Sequence, residues 1–181
     1  MKLTVLTNKL QRKEQGFTLI ELLIVIAILG VLAAALLVAI DPVEQLARGR
    51  DSGRKSTVNQ LGRSMQAYYT TTNSYATQNA TWITTLVTAG EAKIAPANPT
   101  GGAGYTAVCT TGTAQNNICY QYTAGGSDAV IYITAESKAE KAKCTSGQGV
   151  FVTWSSAAGK TGIACTTNAT TEPAIGVTTL L

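Results

Sequence analysis

Gly16-Phe17-Thr18-Leu19-Ile20-Glu21 opens a run of 24 residues, Phe17 to Ile40, in which Glu21 is the only charged side chain. At 1.5 Å of rise per residue, a helix of that length reaches about 36 Å, enough to cross a hydrocarbon layer of roughly 30 Å with some tilt. The run is apolar all round (Leu22, Leu23, Ile24, Val25, Ile26, Ile28, Leu29, Val31, Leu32, Leu36, Leu37), which excludes an ordinary amphipathic surface helix. An ionisable residue kept inside such a segment is read first as functional, with a partner to be named. Glu21 lies about 6 Å along the axis from Phe17, near one end of the span, where the penalty is below the roughly 2.5–3.5 kcal/mol quoted for the helix centre.

The residues ahead of the run are basic: Lys2, Lys9, Arg12 and Lys13, with Glu14 as the one acid. Taken with the apolar run and Ala33-Ala34-Ala35, they offer a rival reading, a secretory signal peptide with a cut at small residues. A glutamate inside the apolar run and its continuation past the alanines to Ile40 argue against that.

Lys13-Glu14-Gln15-Gly16-Phe17-Thr18-Leu19-Ile20-Glu21-Leu22-Leu23 resembles the processing motif of type IV prepilins and type II secretion pseudopilins. The resemblance implies a leader, residues 1–16, removed by a membrane peptidase between Gly16 and Phe17. It implies N-methylation of Phe17, and pairing of Glu21 with the free amine of a neighbouring subunit during filament assembly. The motif is specific over Gly16 to Leu23, and the likeness fades beyond Pro99. Buried among packed helices, a matched ammonium and carboxylate are strongly preferred over either charge alone, so the pair sets axial register while the apolar helices supply area.

The formal charge of +4 is mostly the leader's. Its four basic residues and one acid carry +3 away on processing and leave +1, which gives no global pull toward nucleic acid. Arg48, Arg50, Arg54 and Lys55 follow the span closely, so the positive-inside count is nearly balanced. The four cysteines, Cys109, Cys119, Cys144 and Cys165, fall in the C-terminal part without CxxC spacing or histidine. They argue for two disulfides and an oxidising exterior, hence a leader facing the cytoplasm. The expected disposition is a single-pass inner-membrane protein with an extracytoplasmic C-terminal domain, later part of an extracellular filament.

The expected fold is α+β: a long N-terminal helix with a transmembrane first half (17–40) and an amphipathic second half (41–72), packed on a small antiparallel sheet in a globular domain (73–181). Asp41-Pro42-Val43-Glu44 reads as a helix restart with a capping box, and the proline should kink or loosen the helix. The resemblance implies one continuous long helix there; a full break at Asp41 is the competing expectation. From Val43 to about Thr71, residues Val43, Leu46, Ala47, Val58, Leu61, Met65, Tyr68 and Tyr69 recur at three- and four-residue intervals as the face toward the core. Arg48, Arg50, Asp51, Arg54, Lys55 and Arg63 fill the remainder, a solvated face or a headgroup anchor. Glu44 and Asp51 are candidates for pairing with arginines of neighbouring subunits, and a DNA contact is a minority option. A short helix or turn covering the core is expected from Trp82, with Gly90 as its C-terminal stop. Strands are expected at Tyr105–Thr110, Ile118–Thr123, Ala129–Thr134, Gly149–Ser155 and Gly162–Cys165, with a helical turn between Lys138 and Lys143.

Of three possible connectivities, Cys109–Cys119 closes a hairpin and Cys144–Cys165 staples the C-terminal loop, with Cys109–Cys165 kept as an alternative. The resemblance also implies a C-terminal disulfide loop. No histidine exists, so Ser-His and Cys-His dyads are excluded, and neither a zinc spacing nor a phosphate loop is present. The expectation is no enzyme, no cofactor and no metal. Asn79-Ala-Thr81 and Asn168-Ala-Thr170 match a glycan acceptor sequon, a pattern short enough to arise by chance.

The expected function is a structural subunit of a type IV pilus-like filament. Its partners would be other subunits, the prepilin peptidase and assembly platform, and membrane lipid before assembly. A type II secretion pseudopilin or minor pilin is the alternative within the class; a monomeric membrane-anchored extracellular binding domain is the rival outside it.

Overall fold

The computed structural model describes residues 16–99, 101–102, 109–123 and 125–181. The expected leader (apart from Gly16) and most of the expected strand Tyr105–Thr110 lie outside these. The chain divides into two compact units, the first ending at Asp41 and the second running from Pro42 to Leu181.

The first unit contains helix α1, Leu19–Ile40, none of whose 22 residues is buried. It is long and apolar enough to cross a membrane. Helix α2, Pro42–Thr72, follows after one residue. That residue, Asp41, sits in the left-handed region at φ 43°. Pro42 is the cause: it has no N–H to offer the carbonyl one turn back, and its ring disfavours the α conformation of the residue before it. Aspartate tolerates the left-handed conformation better than most side chains. Regular helix therefore stops at Ile40 and restarts at Pro42.

In the second unit a five-stranded antiparallel sheet runs in chain order: β1 (Thr113–Gln115), β2 (Ile118–Tyr122), β3 (Ala129–Thr134), β4 (Val150–Ser155) and β5 (Lys160–Cys165). β1 is absent from the sequence-derived expectation. It is joined to β2 by Asn116-Asn117, both at positive φ, the two-residue primed turn that matches strand twist. Helices α3 (Trp82–Thr88) and α4 (Lys138–Lys141) complete the unit. Gly90, at φ +81°, ends α3, with its N–H bonded to the Val87 carbonyl.

Alternation along the strands buries both faces of the sheet. One face (Ile118, Tyr120, Ile131, Ile133, Val152, Trp154) packs on Val58, Leu61 and Met65 of α2 and on Trp82, Ile83 and Leu86 of α3. Gly62 of α2 makes this approach possible: a Cβ there would stand 2.4 Å from the Trp154 ring. The other face (Cys119, Val130, Tyr132, Phe151) is covered by Ile175 and Val177 of the C-terminal segment and by Cys109. Leu181 exchanges backbone hydrogen bonds with Ile163 along β5. The disulfides are Cys109–Cys119 and Cys144–Cys165.

Glu172 fastens the C-terminal segment. Its buried carboxylate accepts the N–H groups of Thr110, Thr111 (2.7 Å) and Gly112 (3.0 Å) and the Gln121 side-chain amide (3.0 Å). Burial works to raise this carboxyl, but hydrogen bonds from the Thr111 side chain and the Thr111 and Thr110 amides outweigh it and hold it below the usual range.

Candidate functional site

Thr18 and Glu21 form a reciprocal cap at the start of α1. Thr18 is the N-cap in extended conformation; its hydroxyl oxygen accepts the Glu21 N–H at 3.2 Å. The Glu21 carboxylate in turn accepts the Thr18 N–H at 2.9 Å and the Thr18 hydroxyl at 2.6 Å. Two donors that a helix start leaves without partners are thereby satisfied, and a negative charge stands at the positive end of the helix dipole. The Ser/Thr-x-x-Glu spacing would have revealed this box, but sequence reasoning placed one only at Asp41–Glu44. Gly16 and Phe17 precede the cap without regular structure, and Phe17 is 82 % exposed. Gly16, Phe17 and Glu21 thus lie within six residues at one helix end, with the carboxylate held in place by its own chain.

The second set of candidate residues, on α2, is arranged differently from expectation. Val43 and Leu46 are exposed at 69 % and 63 %. The buried stripe is Glu44, Ala47, Asp51, Arg54, Val58, Leu61 and Met65: polar in its first half, apolar in its second. Two carboxylates, seven residues and so two turns apart, explain the polar half. Asp51 accepts the N–H groups of Glu136 (3.0 Å) and Ser137 (2.7 Å); Glu44 accepts those of Lys138 (2.9 Å) and Ala139 (3.1 Å). Four consecutive amides leading into α4 are satisfied from one helix face.

The cations join the same cluster. Arg54, 2 % exposed, bridges Asp51 at 2.5 Å and Glu136 at 3.0 Å. Arg50 also binds Glu136, Lys55 binds Glu140 at 2.6 Å, and Arg48 binds Glu44 at 3.0 Å. The expectation of a solvated basic face is corrected in part: Arg54 is buried and Arg50 half-buried, while Arg48 and Arg63 stay exposed. Four of these five cations are engaged by carboxylates of the same chain, and Arg63 is exposed without a described bond. Glu44 and Asp51 are likewise committed within the chain rather than presented to a neighbour. Hydrogen bonds from Arg50, helped by the Gly102 N–H and Arg54 and opposed by burial, hold the Glu136 carboxyl down at about 2. The Lys138 N–H leads the groups that lower Glu44.

Comparison with known proteins bears on the first site. Neither the curated proteins nor the solved structures yield a match to the chain. A family model does match: residues 11–37 fit the prokaryotic N-terminal methylation motif. The matched segment spans Gly16, Phe17, the Thr18–Glu21 cap and most of α1, so this chain carries at its N-terminal end the signature of type IV pilins and pseudopilins.

Proposed function

We propose that the protein is a structural subunit of a type IV pilus-like filament, cut after Gly16, N-methylated at Phe17 and polymerised through α1. Supporting this is one observation above others: a 22-residue apolar helix with no buried residue, led by a single carboxylate beside the Gly16–Phe17 bond. Such a surface needs lipid or other helices around it, and the motif belongs to structural assemblies rather than to enzymes. Other subunits and the prepilin peptidase are the partners the motif implies, and an assembly platform in the membrane is the further partner of this proposal. The second unit would lie outside the membrane and form the filament's outer surface.

The Thr18–Glu21 cap gives Glu21 two roles in sequence. In the membrane-held monomer its charge is met by Thr18 and by the helix N-terminus. Cutting at Gly16 creates an ammonium group one residue ahead of the N-cap, at the end of the helix dipole that disfavours positive charge. A carboxylate from a staggered neighbour relieves that repulsion, and Glu21 is the acidic group α1 offers. The test is filament yield from Glu21→Ala against wild type at equal membrane abundance. A large loss is expected; unchanged yield would refute the pairing.

A further inference from the structure

Two identical triplets from distant parts of the chain, Asn79-Ala80-Thr81 and Asn168-Ala169-Thr170, adopt the same local structure. Asn79 Oδ1 accepts the Thr81 N–H at 2.9 Å and the Thr81 hydroxyl at 3.0 Å. Asn168 Oδ1 accepts the Thr170 N–H at 3.1 Å and its hydroxyl at 2.9 Å, with Thr171 adding its N–H at 2.9 Å and hydroxyl at 2.8 Å. All four Asn and Thr residues of the triplets are exposed. Among the described residues, neither asparagine donates a hydrogen bond through Nδ2. Each triplet therefore presents a free amide nitrogen to solvent while its oxygen is held by at least two donors.

That arrangement has a chemical consequence. A carboxamide nitrogen is a poor nucleophile because its lone pair is shared with the carbonyl. Loss of an N–H proton places negative charge on Oδ1, and donors already aimed at that oxygen stabilise it as an oxyanion hole would. Threonine two residues on supplies one donor from the backbone and one from its hydroxyl; a residue without the hydroxyl supplies one fewer. Alanine between them leaves the asparagine backbone free of the restriction a proline would impose.

We propose that Asn79 and Asn168 are acceptor sites for N-linked glycosylation from a glycosyl diphosphate donor. In the step, Nδ2 gives a proton to a base of the transferase and bonds to the anomeric carbon. The carbon–oxygen bond to the diphosphate breaks, and the diphosphate departs with its electron pair on its nucleotide or polyprenyl carrier. This inference stands apart from the filament proposal.

The test uses the full chain, disulfides intact, in detergent micelles. One arm supplies a polyprenyl-diphosphate oligosaccharide with a purified oligosaccharyltransferase; the other supplies UDP-glucose with an N-glycosyltransferase. Intact mass is expected to rise by two glycans in at least one arm, and the reacting arm identifies the carrier. Asn79→Asp and Asn168→Asp keep the oxygen acceptor and the turn but lack Nδ2. Each should fold normally and lose one glycan. Thr81→Ala should slow its own site by about 10²-fold, as loss of an oxyanion donor does, and Thr81→Ser should restore transfer. Thr170→Ala should slow its site less, because Thr171 keeps its N–H and hydroxyl on Asn168 Oδ1. The proposal is overturned if the folded chain gains no mass in either arm while peptides covering 75–85 and 164–174 are modified in the same tubes. Mass gain that survives both aspartate variants overturns it equally.

Discussion

Replacing Arg54 with methionine removes the cation at the centre of the α2 cluster and leaves its stem. Arg54 is 2 % exposed, and its guanidinium bonds both Asp51 and Glu136. Removing one partner of a buried ion pair costs about 3–5 kcal/mol, because the remaining charge is stranded. Here the remaining carboxylates keep other donors: Asp51 holds the Glu136 and Ser137 amides, and Glu136 holds Arg50 and the Gly102 N–H. The loss should therefore lie toward the lower bound, about 3 kcal/mol, a fall of roughly 6–15 °C in Tm for a domain of this size. Thermal unfolding of the full chain in detergent, followed by the near-ultraviolet signal of Trp82 and Trp154, measures it. A double-mutant cycle with Asp51→Asn should give a coupling of about 1 kcal/mol or more. A loss under about 1 kcal/mol, or a cycle that closes to zero, would refute the stated role of Arg54.

Acid should act on the same cluster. The Glu136 carboxyl is held at about 2 against an unfolded value of 4.5, and a depressed carboxyl contributes stability above the unfolded value that is lost as pH falls through the folded one. Tm is expected to be level above pH 4.5 and to decline between there and about 2; Glu136→Gln should lower the plateau and flatten the decline. An unchanged acid limb in that variant would contradict the assignment. Two glycines of α2 should respond in opposite directions. Gly62→Ala drives a methyl into the Trp154 ring and should cost about 1–3 kcal/mol. Gly53→Ala meets open space and should gain about 0.4–1 kcal/mol, and urea titration of the pair compares the signs directly.

Much of this architecture was legible because it rests on local patterning. The apolar run declared α1, and β3 has the bounds Ala129–Thr134 that alternation gives. Val150–Ser155 differs by one residue from the expected strand. What escaped depends on partners remote in the chain. Glu44, Asp51 and Arg54 look like a solvent face when α2 is considered alone; the amides that bury them belong to residues 136–139. The cover of Ile175 and Val177 on the second sheet face escaped for the same reason, since Glu172 fixes that segment through Thr110–Gly112. β1 is three residues long and holds only one apolar side chain, Ala114, too short a stretch for alternation to single it out. At the N-terminal site, the charge in the run was conspicuous, yet the Thr18 cap that holds it went unread although its spacing was present.

In the proposed filament Glu21 meets an amine only if a neighbouring chain has been cut ahead of Phe17, so the state of the mature N-terminus tests the filament proposal most directly. Mass spectrometry of the protein isolated from native membranes or filaments should find a chain beginning at Phe17 with one added methyl group. A chain beginning at Met1, or one trimmed at Ala33–Ala35, would contradict it.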